Sequence, residues 1–280
     1  MKLLVHSFGL SDVGLIRKEN EDRWLIMKSF DHDHVLVVAD GMGGHQAGEI
    51  ASTETISTIE KFYSGKNNNE TTWGSHENDP PNLFSKTYLE QTIQKANSRV
   101  YHLSQENATH KGMGTTLTIA IIRNERMLVG QVGDSRAYLI RRKKLNRLTK
   151  DHSVVQREVD LGILTPEEAL MDPRKNIITK AIGIMPELDP DVYEYQLSPS
   201  DRIMICSDGL YDLVSENEIL KSCMIPSLEL GVKQLIDLAK QYGGKDNITV
   251  ILAEILPEKD KKEKRKSIFS LRKKTEDIAS

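Results

Sequence analysis

Apolar, β-branched runs that each stop at an aspartate constrain this chain more than any other feature. Val35-Leu36-Val37-Val38-Ala39 runs into Asp40-Gly41, Met127 to Val132 into Gly133-Asp134-Ser135-Arg136, and Ile203-Met204-Ile205-Cys206 into Ser207-Asp208-Gly209. Asp246-Asn247 stands just before another run, and Glu21-Asp22 just before Trp24-Leu25-Ile26. Val, Ile and Thr suit a pleated surface, while Gly, Asp and Asn end one. Strands are therefore expected at 3–8, 24–27, 35–39, 115–122, 127–132, 137–140, 192–197, 202–206 and 248–255. Arg123-Asn124-Glu125-Arg126 reads as a hairpin connection between two of them.

Helical spacing is confined to a few segments. Leu89, Ile93, Ala96, Val100 and Leu103 step by four, three, four and three. Leu228, Val232, Leu235, Ala239 and Tyr242 repeat that step, with Ser227 as N-cap and Gly243 as a stop. Ala47 to Tyr63 is a third candidate, and the capping boxes at Thr165 and Ser215 open two short helices. Strands and helices come in blocks rather than in strict alternation. That predicts an α+β domain of antiparallel sheets with helices packed outside, not a Rossmann-type fold.

With 38% apolar and 28% charged residues in 280, the chain has the makings of an ordinary globular core. A net charge of -3 calls for no nucleic acid. The charge is uneven, because 257–280 holds nine Lys/Arg against five Asp/Glu and leaves an acidic body. No apolar run approaches the roughly 18 residues of a membrane span, and the start is too short for a signal peptide. Cys206 and Cys223 form no Cys-x-x-Cys pair, so a cytoplasmic protein is expected. Residues 64–82 read as a polar surface loop and 1–256 as one domain. The basic 257–280 tail reads as a disordered solubilising end. Its rival readings are contact with anionic lipid or an acidic protein, and phosphorylation at Ser267 or Ser270.

Each aspartate, taken singly, is well explained as a turn residue at a strand end. If they converge, they repel one another and cannot all stay ionised without a cation. Oxygen ligands without paired His or Cys select Mg²⁺ or Mn²⁺ over Zn²⁺. Spacing alone does not show convergence.

Six motifs in order bear on it: Arg17-Lys18-Glu19-Asn20-Glu21-Asp22, Val38-Ala39-Asp40-Gly41-Met42-Gly43-Gly44, Gly114-Thr115-Thr116, Val132-Gly133-Asp134-Ser135-Arg136, Ser207-Asp208-Gly209-Leu210 and Lys245-Asp246-Asn247-Ile248-Thr249. Together they closely resemble the bacterial branch of the protein phosphatase 2C family, metal-dependent Ser/Thr phosphatases, over about residues 3–256. The resemblance implies a four-layer α-β-β-α sandwich of two antiparallel sheets flanked by helices, with a two-metal cleft at one end. Asp40 would bridge two Mn²⁺ or Mg²⁺ ions, Asp208 and Asp246 would hold one, and Glu21 with the Gly41 carbonyl would hold the other. Asp22 would orient metal-bound water, Asp134 with Asp208 would serve a looser third site, and Arg17 would grip the phosphoryl group. A water shared by two such ions attacks phosphorus directly, with no covalent phosphoenzyme.

Eukaryotic members carry a His directly after the Asp-Gly pair, assigned there as general acid. Met42 occupies that position here, and the nearest candidate acid is His45, whose favoured competing reading is a plain loop histidine at the cleft rim. Residues 151–183 match the family's flap beside the active site. Within it, Arg174 is a candidate contact for an acidic or phosphorylated partner, against an equal case for a solvated charge. His152 reads as orienting the segment that follows it. The expected partners are phosphorylated Ser/Thr proteins and the kinase that makes them, and a monomer is expected. One rival is a catalytically weak family member that binds phosphoproteins as a regulator. Another is an aspartyl-phosphate mechanism, which wants Asp-x-Asp where Val38-Ala39-Asp40-Gly41 offers one Asp.

Overall fold

A computed structural model describes residues 3–43, 46–65 and 82–258. The 64–82 loop, apart from its ends, the tail beyond 258, and Gly44 and His45 lie outside the described residues. The strands are β1 (Leu3–Asp12), β2 (Arg23–Lys28), β3 (His34–Ala39), β4 (Gly41–Met42), β5 (Gly114–Thr115), β6 (Leu117–Arg123), β7 (Arg126–Val132), β8 (Arg136–Arg141), β9 (Lys144–Arg147), β10 (Asp191–Gln196), β11 (Arg202–Cys206) and β12 (Ile248–Pro257). The helices are α1 (Ala47–Tyr63), α2 (Lys86–Glu106), α3 (Val154–Asp160), α4 (Pro166–Met171), α5 (Asp208–Tyr211), α6 (Glu216–Cys223) and α7 (Leu228–Gln241).

Two five-stranded sheets form, in the orders β1-β12-β11-β8-β9 and β10-β7-β6-β3-β2, and their pairings are antiparallel. Their side chains alternate between two cores, as period-two geometry requires. In β3, Val35 and Val37 pack toward α1 and α2, while Leu36 and Val38 pack between the sheets. In β11, Ile203 and Ile205 join that central core, while Met204 and Cys206 pack with Leu210, Val232, Leu235 and Ala239. Burial on both faces is why these strands read as unbroken apolar runs instead of alternating ones. The result is the expected four-layer α-β-β-α sandwich.

Helix α2 buries Leu89, Ile93, Ala96 and Val100, and the Ser85 hydroxyl accepts the Tyr88 amide at its start. Helix α7 buries Val232, Leu235 and Ala239, but Tyr242 falls at the C-cap and is exposed, followed by Gly243 at φ 121°. Both expected capping boxes form, at Thr165 and Ser215. The β6–β7 hairpin turns through Asn124 at φ 53°, with Arg123 opposite Arg126.

The expected strand over 115–122 is two elements. Gly114 and Thr115 leave the sheet to pair with Met42 and Gly41 in a two-stranded ribbon. The Asp40 carbonyl causes the break, accepting both the Thr116 amide and the Thr115 hydroxyl at 2.8 Å.

Candidate metal centre

The ends of β3, β11 and β12 and the loop before β2 meet at one end of the sandwich. Asp40 follows β3, and its amide donates to the Thr116 hydroxyl at 3.0 Å, which bonds Ser135 in turn. Asp208 opens α5 directly after β11. Asp246 precedes β12, and its Oδ2 accepts from the Arg17 guanidinium at 2.8 Å.

Asp22 is buried among hydroxyls. Its Oδ2 accepts from Ser207 at 2.8 Å and from Thr249 at 2.7 Å, joining residues far apart in the chain. Asn247 uses its whole amide on the neighbouring loop. Its Oδ1 accepts the Glu21 amide at 2.8 Å, and its Nδ2 donates to the Val13 and Glu19 carbonyls at 3.0 Å each. That fork fixes the loop carrying Arg17 and Glu21.

Gly41 is required by close approach, because a Cβ there would run into the Gly48 and Glu21 carbonyls. Asp134 sits on the turn after β7. The Tyr211 hydroxyl donates to its carbonyl at 2.9 Å, and the preceding Gly133 amide donates to His152 Nδ1 at 3.1 Å. His152 thus anchors the start of the 151–183 segment to this turn, as expected, while Ser153 caps α3. Arg174 bonds Glu158 and Asp172, all within that segment. The segment also walls a cavity of about 500 Å³ lined by Arg136, Lys175, Tyr211 and Asp212, but by none of Asp22, Asp40 or Asp208.

Among the described residues, no three His, Cys, Asp and Glu side chains form a group that could hold a metal ion by themselves. Their proximity shows in their protonation instead. Burial raises the Asp40 carboxyl well above its usual range, and the charges of Asp22, Asp208, Asp134 and Asp246 raise it further. Asp208 is raised by burial and then by Asp134, Asp246, Asp212 and Asp22. Burial pushes Asp22 up to about 6, against the pull of the Thr249 and Ser207 hydroxyls. Asp134 is pushed up to about 7 by burial and by Asp151. Glu21 is raised by burial, with Arg17 opposing. Carboxylates so arranged accept a cation in place of protons.

Glu21 Oε1 and Asp22 Oδ1 are buried without a hydrogen-bond partner. Anionic oxygens left unpaired in a dry site fit a divalent ion and its water well. The donor set is all oxygen, as Mn²⁺ or Mg²⁺ prefers.

Residues 7–158 match the family model for protein phosphatase 2C. The chain belongs to the protein phosphatase 2C family. It is 36% identical over 253 residues to the serine/threonine phosphatase stp of Listeria monocytogenes, covering 89% of this chain and 96% of that one. The crystal structure of the Staphylococcus aureus serine/threonine phosphatase Stp1 superposes with a TM-score of 0.81 at 36% identity, over 91% of this chain and 96% of that one. The catalytic domain of the serine/threonine phosphatase PstP, solved with two manganese ions, gives a TM-score of 0.77 at 33% identity, over 91% of this chain and all of that one. The sandwich is therefore a phosphatase 2C fold, and metal dependence comes with the family.

Sequence reasoning quoted Ser207, Thr249 and Asn247 inside motifs without giving them tasks. Their hydrogen bonds span more than 180 residues, so no local pattern carries them. Asp212, whose charge raises the Asp208 carboxyl while its side chain pairs with Lys175 at 2.9 Å, has no role in that reading. Its place four residues after Asp208, one turn along a helix, was the available signal.

Proposed function

We propose that this chain hydrolyses phosphoserine and phosphothreonine on proteins, at the carboxylate end of its sandwich. Asp40, Asp208, Asp246, Glu21 and the Gly41 carbonyl are the residues that would hold two divalent ions, with Asp134 and Asp208 serving a third. Divalent ions bound there supply Lewis acidity and a water of near-neutral pKa.

The chain's own residues do the rest. Arg17 offers a planar fork of donors to the phosphoryl oxygens, and its bond to Asp246 keeps the guanidinium aimed at the cleft. Asp22, fixed by two hydroxyls, holds its free oxygen toward Asp40 and can orient and accept a proton from the attacking water. The tight approach at Gly41 admits no side chain, and its carbonyl is the backbone oxygen that would face an ion. His45, outside the described residues, keeps its place as a candidate donor to the leaving alkoxide. Arg174, on the flap-like 151–183 segment, keeps its place as a candidate contact for substrate.

Every proposed site residue comes from one chain, so a monomer suffices. Residues 1–256 make the catalytic domain, consistent with β12 ending at Pro257. Cys206 and Cys223 are free and buried, which suits a reducing, cytoplasmic setting. Among the described residues, no helix is long and apolar enough to cross a membrane. The partners implied are phosphoproteins and the Ser/Thr kinase that makes them.

The observation that carries this reading is the gathering of Asp22, Asp40, Asp134 and Asp208 from four separate segments, their carboxyls raised by burial, with the part-exposed Asp246 adding its charge to three of them. The test is phosphate release from a phosphothreonine peptide, with and without Mn²⁺, by wild type and Asp208→Asn. Turnover that needs Mn²⁺ and is lost in the variant is expected. Metal-independent turnover, or full activity in the variant, sinks the proposal. For His45, the pH–rate profiles of wild type and His45→Gln decide its role, and an unchanged profile removes it.

A further inference from the structure

Water is a poor place for two adjacent large apolar side chains, and a pinned loop gives them no way to retreat. The loop from Val13 to Asn20 is pinned along its length. The Leu15 amide donates to the Gly244 carbonyl at 2.8 Å, and the Gly14 amide to the Asp12 carboxylate at 2.9 Å. Asn247 Nδ2 holds Val13 and Glu19, and Asn20 Nδ2 donates to Ser11 Oγ at 2.8 Å. Gly14 takes φ +80° with the Asp246 carbonyl against it, so the turn admits no side chain.

Held this way, the loop turns Leu15 and Ile16 outward, 60% and 69% exposed. They directly precede Arg17. Lys18 and Lys245, which directly precedes the Arg17 partner Asp246, are exposed too, and neither has an ion-pair partner among the described residues. Two fixed apolar side chains and two free cations thus border the one guanidinium that reaches Asp246.

We propose that Leu15, Ile16, Lys18 and Lys245 form a docking ledge for the substrate's own chain. Its occupant is an extended phosphoprotein segment with a large apolar residue beside the phosphorylated one and an acidic residue nearby. The phosphoryl group meets Arg17, the apolar neighbour packs on Leu15 and Ile16, and the acidic residue meets Lys18 or Lys245. Consecutive Cα atoms are about 3.8 Å apart, so a ledge adjoining Arg17 reads positions one or two from the phosphorylated residue. The ledge is continuous with the cleft, and Arg17, Lys18 and Lys245 outnumber its one exposed carboxylate, Glu19, so its net charge complements an acidic segment. This inference rests on the phosphatase reading above and adds a substrate class to it.

The test compares three substrates in Mn²⁺: p-nitrophenyl phosphate, a phosphothreonine peptide with Leu on both sides of the phosphorylated residue, and the same peptide with Ser there. The proteins are wild type, Ile16→Ser, and the double variant Leu15→Ser/Ile16→Ser. Wild type is expected to prefer the Leu peptide by about tenfold in kcat/KM, expressed in KM. The double variant is expected to lose that preference while its peptide rates fall relative to p-nitrophenyl phosphate, with Ile16→Ser in between. Equal use of both peptides by wild type, or an undiminished preference in the double variant, overturns the ledge and leaves the phosphatase reading standing. Failure of wild type on all three substrates overturns both.

Discussion

Asp22 offers a measurable consequence of burying a carboxyl, with the Asp246 charge adding to it. Its carboxyl is wholly buried and moves from 3.8 to about 6 in the folded chain. A carboxyl with a raised folded pKa binds its proton more tightly in the fold than in the unfolded chain. Its contribution to stability is therefore full below about pH 4 and is lost as pH rises to about 6. A shift of about two units corresponds to on the order of 3 kcal/mol. Asp22→Asn removes this dependence and keeps an acceptor oxygen for the Ser207 and Thr249 hydroxyls. The assay is urea unfolding of the metal-stripped wild type and variant from pH 4.5 to pH 8. Wild type is expected to lose stability across that range, with Asp134 extending the fall toward pH 7. The variant's fall is expected to be smaller by about 2 kcal/mol, because about a third of the full effect is already lost at pH 4.5. Saturating Mn²⁺ is expected to flatten the wild-type curve, because a bound cation favours the charged carboxylates. Parallel curves for wild type and variant would show that Asp22 keeps an ordinary carboxyl pKa in the fold.

Further consequences follow from the same contacts. Asn247→Ala strips three hydrogen bonds from the loop bearing Arg17 and Glu21, and should cost about 2–4 kcal/mol in chemical unfolding, with a weaker Mn²⁺ affinity by calorimetry. Gly41→Ala drives a methyl into the Gly48 and Glu21 carbonyls, so phosphopeptide turnover should fall sharply, with a lower melting temperature. Arg202 is buried, pairs with Glu254 and donates to the Cys223 and Ile225 carbonyls, so Arg202→Ala should cost about 3–5 kcal/mol by the same unfolding assay, far from the cleft.

The sandwich was legible because its central strands are covered on both faces. Val35 to Ala39, Ile203 to Cys206 and Val250 to Ala253 announce themselves as unbroken apolar runs, and the stepped spacing of α2 and α7 is equally plain. Other features gave no such signal. Strand β9, Lys144–Arg147, lies at a sheet edge with mostly polar residues. Helix α5 is a four-residue turn that reads locally as an Asp-Gly bend. The break at Thr116 depends on the Asp40 carbonyl, 76 residues away. For the site, residue type pointed to hard-metal chemistry, and the family resemblance pointed to convergence. The hydroxyl cradle of Asp22 and the Asn247 fork needed the fold itself, because their partners meet only once the two sheets have stacked.

The central claim is that the buried carboxylates exist to hold divalent ions that make the chain a phosphatase. Its most direct test is to strip the protein of metal and titrate Mn²⁺ back, measuring bound Mn²⁺ and phosphate release from a phosphothreonine peptide on the same samples, for wild type and Asp40→Asn. No release is expected without metal, release should rise with occupancy of two ions per chain, and the variant should lose both. Full release in the metal-free protein, or an Asp40→Asn variant that binds and turns over like wild type, would contradict it.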